Sequence, residues 1–248
     1  MADRVLLSIG TKKGLFVAES SARRNRFELR GPFGQGVAVY SSLIDSRSKT
    51  PRVYASSCNP FFGMKLLCST DLGTKFKETK SAPAFPAEDG RALANIWSLE
   101  PGDNKKELWC GVEPAALFHS TDGGNSWEMV NGISNHEHAR QWHPGNGGLC
   151  LHTIVRQQGR MHLGISTGGH YVSQDGGTSF SAANNGVGAG FVPDPYPEFG
   201  QCVHKIAAVD QVPGRLYMQN HGGWAEWHGP GGPRPDIGVL RSDDYGAT

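Results

Sequence analysis

Charge of either sign is scarce in this chain, and the two signs nearly balance. Asp, Glu, Lys and Arg make up 19 % of the 248 residues, and the formal net charge is +1. Beyond the short run Arg23-Arg24-Asn25-Arg26 there is no basic cluster, so no nucleic-acid partner is expected. Long apolar stretches are missing as well. None approaches the ~18 residues a membrane helix needs, and no membrane partner is expected. The opening apolar run Val5–Ile9 is too short for a signal peptide and reads as a strand. Cys58, Cys68, Cys110, Cys150 and Cys202 are odd in number, form no C-x-x-C pair and fall mostly in apolar segments. Buried free thiols in a reducing cytoplasm are the expectation.

Glycine and proline are plentiful, at 34 and 15 residues, and their placement is periodic. Ser69-Thr-Asp71-Leu-Gly73-Thr-Lys-Phe76 returns as Ser120-Thr-Asp122-Gly-Gly124-Asn-Ser126-Trp127 and as Ser173-Gln-Asp175-Gly-Gly177-Thr-Ser179-Phe180. A fourth copy, Ser242-Asp-Asp244-Tyr-Gly246-Ala-Thr248, ends before its aromatic residue. In each, Asp bonds the loop backbone and Gly supplies a positive φ, which makes a tight turn between two strands. Asp71 to Asp122 is 51 residues and Asp122 to Asp175 is 53, a period suited to one four-stranded antiparallel sheet. An insertion from Trp224 to Pro235 stretches the last interval to 69. Upstream of the turns a second column repeats, and Tyr40, Trp97, His152 and His204 are its equivalent positions on the innermost strands.

The octapeptide resembles the Asp box, S-x-D-x-G-x-(S/T)-(W/F), of the BNR-repeat, sialidase-like β-propellers. Gly10–Phe16, Trp142–Thr153, Pro193–Lys205 and Gln219–Gly223 resemble bacterial proteins called BNR-repeat glycosyl hydrolases. The resemblance implies an all-β propeller in which Asp71, Asp122, Asp175 and Asp244 are structural, with a polar axial site. It also implies six or seven blades. Residues 1–248 are therefore expected to form a single propeller domain of about 4.5 blades, truncated at its C-terminus and short by roughly 60 to 130 residues. Open blade edges would invite self-association.

Binding residues are sought in the long loops and on the inner strands. The ligand-binding candidates are Tyr40, Asn59, Arg91, Trp97, Arg140, Trp142, His152, His204 and His221. Glu113, Asp194, Glu198 and Asp89 are the candidate catalytic carboxyl groups, because glycosidases need a placed pair of acids. His136, His138, His152, His204 and His221 could supply an imidazole cluster to a metal; a wet polar pocket without metal or cofactor is the preferred expectation. The arginine triad that clamps a sialidase substrate is not evident, which weighs against true sialidase activity. Two readings stay open. One is a carbohydrate-acting enzyme, motivated by these carboxylates and by Phe61, Trp97, Trp142 and Trp224 as stacking aromatics. The other is a non-catalytic propeller that binds a protein or a small polar ligand.

Overall fold

The computed structural model describes residues 4–59, 61–190, 192–222, 234 and 236–248. The protein is all-β, built from five antiparallel sheets of three or four strands. In chain order the first sheet holds β1 (Arg4–Thr11), β2 (Gly14–Ser21) and β3 (Glu28–Phe33). The second holds β4 (Ser42–Asp45), β5 (Arg52–Asn59), β6 (Gly63–Ser69) and β7 (Lys77–Glu78). The third holds β8 (Asn95–Pro101), β9 (Leu108–Glu113), β10 (Ala116–Ser120) and β11 (Glu128–Met129). The fourth holds β12 (Leu151–Gln157), β13 (Arg160–Ile165), β14 (Gly169–Ser173) and β15 (Ser181–Ala182). The fifth holds β16 (Cys202–Ala208), β17 (Leu216–His221) and β18 (Gly238–Ser242). Every sheet is a meander whose neighbouring strands are consecutive in sequence. Among the described residues no helix is long and apolar enough to cross a membrane.

The chain divides into two compact units, residues 1–110 with 118–128 and residues 111–117 with 129–248. In the first unit Leu15, Val17, Val39 and Ala55 form a buried cluster with Leu6, Phe33 and Phe76 against it. In the second, Val187, Val203, Ile206, Leu216 and Met218 do the same. The second strands of the middle three sheets are the most buried: Val53–Ser57 on β5, Leu108–Val112 on β9 and Met161–Ile165 on β13 are covered along their whole length. A strand covered on both faces reads as a continuous apolar run instead of alternating.

The repeated turn shares one geometry in all four copies. The hydroxyls of Ser69, Ser120, Ser173 and Ser242 accept the N–H of Gly73, Gly124, Gly177 and Gly246 at 2.8–2.9 Å. Each serine also donates to the Asp carboxylate two residues on. That carboxylate accepts the N–H four residues further, from Lys75, Ser126, Ser179 and Thr248 at 2.9–3.0 Å. These bonds hold the carboxyl of Asp122 down at about 2, although burial opposes them. Positive φ is not the only reason for glycine here. A Cβ on Gly73 would lie 2.8 Å from Val17 of β2, and one on Gly124 would lie 2.9 Å from Leu66 of β6. On Gly246 it would lie 2.6 Å from the His170 ring on β14. Each of these glycines is where the turn of one sheet touches the sheet before it.

A second clamp joins neighbouring sheets of the first unit. Arg47 donates from Nε and Nη2 to the buried Asp45 carboxylate at 2.8 and 2.9 Å. Its remaining N–H groups donate to the carbonyls of Gly102, Asn104 and Glu107 at 2.5–2.9 Å. All five guanidinium donors are thus used, which a lysine cannot reproduce.

The structure departs from the sequence reading in two places. The strand that follows each repeated turn, the outermost of its sheet, is only two residues long in β7, β11 and β15, short of a full fourth strand. The inner strands begin later than the apolar runs suggest, and Tyr40 precedes β4. The insertion from Trp224 to Pro235 lies almost wholly outside the described residues, and Trp224 with it.

Two outcomes follow. Arg47→Lys is expected to cost on the order of 2–4 kcal/mol in urea unfolding, because Asp45 stays buried with an imperfect partner. Asp122→Ala is expected to cost about 1–2 kcal/mol. The contribution of Asp122 is full above its ordinary carboxyl value near 3.8 and is lost as pH falls from there toward 2. A wild-type minus mutant stability difference that is flat across pH 2–5 would contradict this role.

Candidate functional site

Inner strands of the second unit carry an irregularity that aims side chains. Along β12, Leu151 pairs with Ile165 and Thr153 with Gly164, so that His152 is the residue inserted at the register shift. Along β16, Val203 pairs with Asn220 and Lys205 with Gln219, which leaves His204 in the same condition. Both histidines are the inserted residues of β-bulges, a device that redirects a side chain out of the strand alternation. Their rings stack at 4.8 Å between centroids and 21° between planes. The His221 ring stands edge-on to His204 at 5.6 Å.

The residues around this stack come from two C-x-H pairs, Cys150-Leu-His152 and Cys202-Val-His204. The Cys202 sulfur lies 3.3 Å from Nε2 of His204. Donor atoms of Cys202, His204 and His221 all lie within 4.8 Å of one another, so these three could hold a metal ion. Glu113, at the end of β9, approaches the Cys150 thiol and the His152 ring. Gly148, at φ +95°, makes room for it, since a Cβ there would collide with the Glu113 carboxylate.

Burial keeps this site neutral. It pushes the Cys150 thiol up to about 12, with the Glu113 charge adding to the effect, and raises the Cys202 thiol as well. It lowers His152 to about 4, helped by the neighbouring His204 and opposed by Glu113. His204 is lowered too, by burial and then by His221. Near pH 7 the cluster therefore offers neutral imidazoles with one donor and one acceptor nitrogen each, the form that binds both hydrogen-bonding ligands and metals.

The other sequence candidates fall elsewhere. In the first unit the rings of Tyr40 and Trp97 meet at 5.0 Å. Tyr40 is not the register equivalent of His152: Ser56 N–H bonds Ser41 O, whereas Ser166 N–H bonds Cys150 O, so Ser41 matches Cys150. The bulge at His152 has no counterpart between β4 and β5. Asn59 accepts the N–H groups of Phe61 and Phe62 and so shapes a turn. Asp89 and Arg91 form a bidentate pair at 2.6 and 2.7 Å, with the guanidinium over Phe85.

In the second unit Arg140 is exposed. Trp142 is only 7 % exposed and donates to the Tyr171 hydroxyl, so it packs the interior instead of offering a platform. His138 is buried, bonds the same hydroxyl and stacks on Phe199, with His136 edge-on beside it. His136 and His138 thus belong to an aromatic cluster around Tyr171. Glu198 lies 3.8 Å from His138, and Asp194 accepts the Tyr196 N–H. Sequence reasoning missed Cys150 and Cys202; the doubled C-x-H spacing was the available signal. A largely apolar recess lined by Val187, Ile206, Leu216, Met218 and Leu240, with His170 at its wall, is formed without His152, His204 or His221.

No family model matches the chain, and no curated protein matches it. Solved structures do. The GH74 enzyme of Niastella koreensis matches 97 % of this chain and 36 % of its own, at TM-score 0.57 and 18 % identity. The GH74 xyloglucanase of Xanthomonas campestris matches 98 % and 43 %, at TM-score 0.55 and 17 % identity. YCF48 bound to a D1 peptide matches 90 % and 60 %, at TM-score 0.53 and 14 % identity. The chain thus spans between about a third and three-fifths of these proteins. At such identities the likeness shows the fold alone, and that fold is a partial β-propeller.

Because His152 binds a proton in the unfolded chain near 6.5 but in the folded protein only near 4, unfolding takes up a proton between these values. Stability is accordingly retained above pH 6.5 and lost as pH falls toward 4. His162 and His170, a buried pair with nitrogens 3.0 Å apart, are lowered to about 4 and about 3 and act in the same direction. His152→Gln is expected to reduce the proton uptake on unfolding near pH 5 by about one. Denaturant midpoints measured across pH 4–7 would reveal an unchanged slope if His152 were not held neutral.

Proposed function

We propose that this chain is a propeller of the BNR/Asp-box type that binds a polar small molecule or glycan, in the cytoplasm, at the cluster of His152, His204, His221 and Glu113. The observation that supports the reading most is the pair of bulges at equivalent points of two sheets. They aim two neutral imidazoles together, next to a third imidazole and a carboxylate. Neutral rings, each with one donor and one acceptor nitrogen, suit hydroxyl-rich or amide-bearing ligands. The free state of all five cysteines accords with a reducing compartment.

The structural neighbours include a xyloglucanase and a protein bound to a peptide, so the fold by itself does not choose between catalysis and binding. The side chains favour binding. A glycosidase needs two carboxyl groups flanking the scissile bond. Asp89 is committed to Arg91, Asp194 caps a turn and Glu198 faces His138, which leaves Glu113 as the candidate acid beside the imidazoles.

The test is a thermal-shift panel of monosaccharides, sugar acids and sugar phosphates together with a glycan array. At least one class is expected to raise the melting temperature of the wild type. That shift should be lost in His204→Ala and weakened at least ten-fold in Glu113→Gln. Ligands that bind both variants as well as the wild type would place binding elsewhere.

A further inference from the structure

We propose that Cys202, His204 and His221 form a three-ligand site for a zinc-class transition-metal ion, with a fourth coordination position open. The inference deepens the reading of the same site, whose sequence-based expectation was a metal-free pocket. It rests on geometry and donor type. Cys202 and His221 are directly opposite one another on β16 and β17, so the thiol and one imidazole share a cross-strand pair. His204, two residues from Cys202 and displaced by the bulge, brings its Nε2 to 3.3 Å from the sulfur. Two ligands on one tetrahedral zinc, at Zn–S about 2.3 Å and Zn–N about 2.0 Å, stand about 3.5 Å apart. The third donor lies within 4.8 Å of both, so closing on an ion needs shifts of about 1 Å.

At the position of His221, the second and fourth sheets carry Ser56 and Ser166. Each serine hydroxyl accepts an N–H of its own inner strand, from Ser41 at 3.0 Å and from Cys150 at 2.9 Å. The fifth sheet gives up this structural serine for an imidazole and places it against a thiol and a bulged histidine. The stacked His152 ring fixes the plane of His204, as groups outside a metal's ligand set commonly do. Thiolate and imidazole donors select zinc-like ions and reject calcium and magnesium. On binding, the Cys202 S–H bond gives way to a sulfur–metal bond and its proton passes to solvent. Cys202 is buried and His221 exposed, so the open position faces outward and can take water or a polar ligand oxygen.

The protein, stripped with a chelator, is titrated with Zn2+ in competition with a chromogenic chelator, and separately with Co2+. One zinc per chain is expected, with affinity reduced at least ten-fold in Cys202→Ser and in His221→Ala. Co2+ should give visible absorption and a near-ultraviolet thiolate band that Cys202→Ser abolishes. His143→Ala, an exposed imidazole outside the site, should bind as the wild type does. His221→Ala alters an exposed side chain, so it keeps the test open if Cys202→Ser does not fold. Zinc binding that is absent, or equal in wild type and His221→Ala, overturns the proposal, as does a Co2+ spectrum without the thiolate band. Running the ligand panel on the stripped protein separates the two readings. A glycan shift without zinc binding defeats the metal site alone, and zinc binding without any ligand shift defeats the binding function alone.

Discussion

Much of this architecture depends on a contact that requires an atom to be missing. The turn glycine of one sheet meets a side chain of the previous sheet closely enough that a Cβ would force the two apart, at Val17, Leu66 and His170 in turn. The serine and aspartate of the same turn then fix the loop that presents the glycine, by accepting its backbone N–H groups. A small motif thereby does two things at once: it closes a hairpin and sets the spacing to its neighbour. This explains why side chains between the copies vary while the serine, aspartate and glycine recur within this one chain. Leu72 and Tyr245 even occupy left-handed backbone, at φ 61° and 63°, where the other two copies use Gly123 and Gly176.

Regular spacing at one side leaves freedom at the other. The inner strands need not repeat closely, and in the second unit two of them carry an extra residue. A bulge costs ladder hydrogen bonds but delivers a side chain to a place the alternation would deny it. His152 and His204 are delivered this way, and burial then removes their charge. The site thus combines a rigid sheet origin with uncharged, bifunctional rings, a combination that favours directional hydrogen bonding over charge attraction.

The sequence made the sheets legible because its signals were local and repeated. A serine, an aspartate and a glycine at fixed offsets specify a turn wherever they fall, and the apolar runs between them had to be strands. The equivalence of His152 and His204 was readable too, since both follow a long glycine-rich loop. What stayed hidden depends on contacts between distant residues. A bulge is visible only when two strands are paired, so the offset that separates Tyr40 from His152 could not be seen in either strand alone. Trp142 reads as a loop aromatic until Tyr171 closes over it. Arg91 reads as a free cation until Asp89, two residues away, takes both its arms. Cys202 was assigned to the core as a small hydrophobe, and only the cross-strand partner His221 gives its sulfur a chemical context.

The five-donor grip of Arg47 changes what kind of loop lies at 102–107. By composition, Gly102-Asp-Asn-Lys-Lys-Glu107 is an exposed polar connection of the sort that usually absorbs insertions, tags and new chain ends. Three of its six carbonyls are instead acceptors for one guanidinium anchored on another sheet, and Glu107 also holds the N–H groups of Asp103 and Asn104. Lengthening it would pull those carbonyls out of register with a planar group that cannot follow. For anyone grafting onto this scaffold or permuting it, that hairpin belongs with the core, and the next free opening lies elsewhere along the chain.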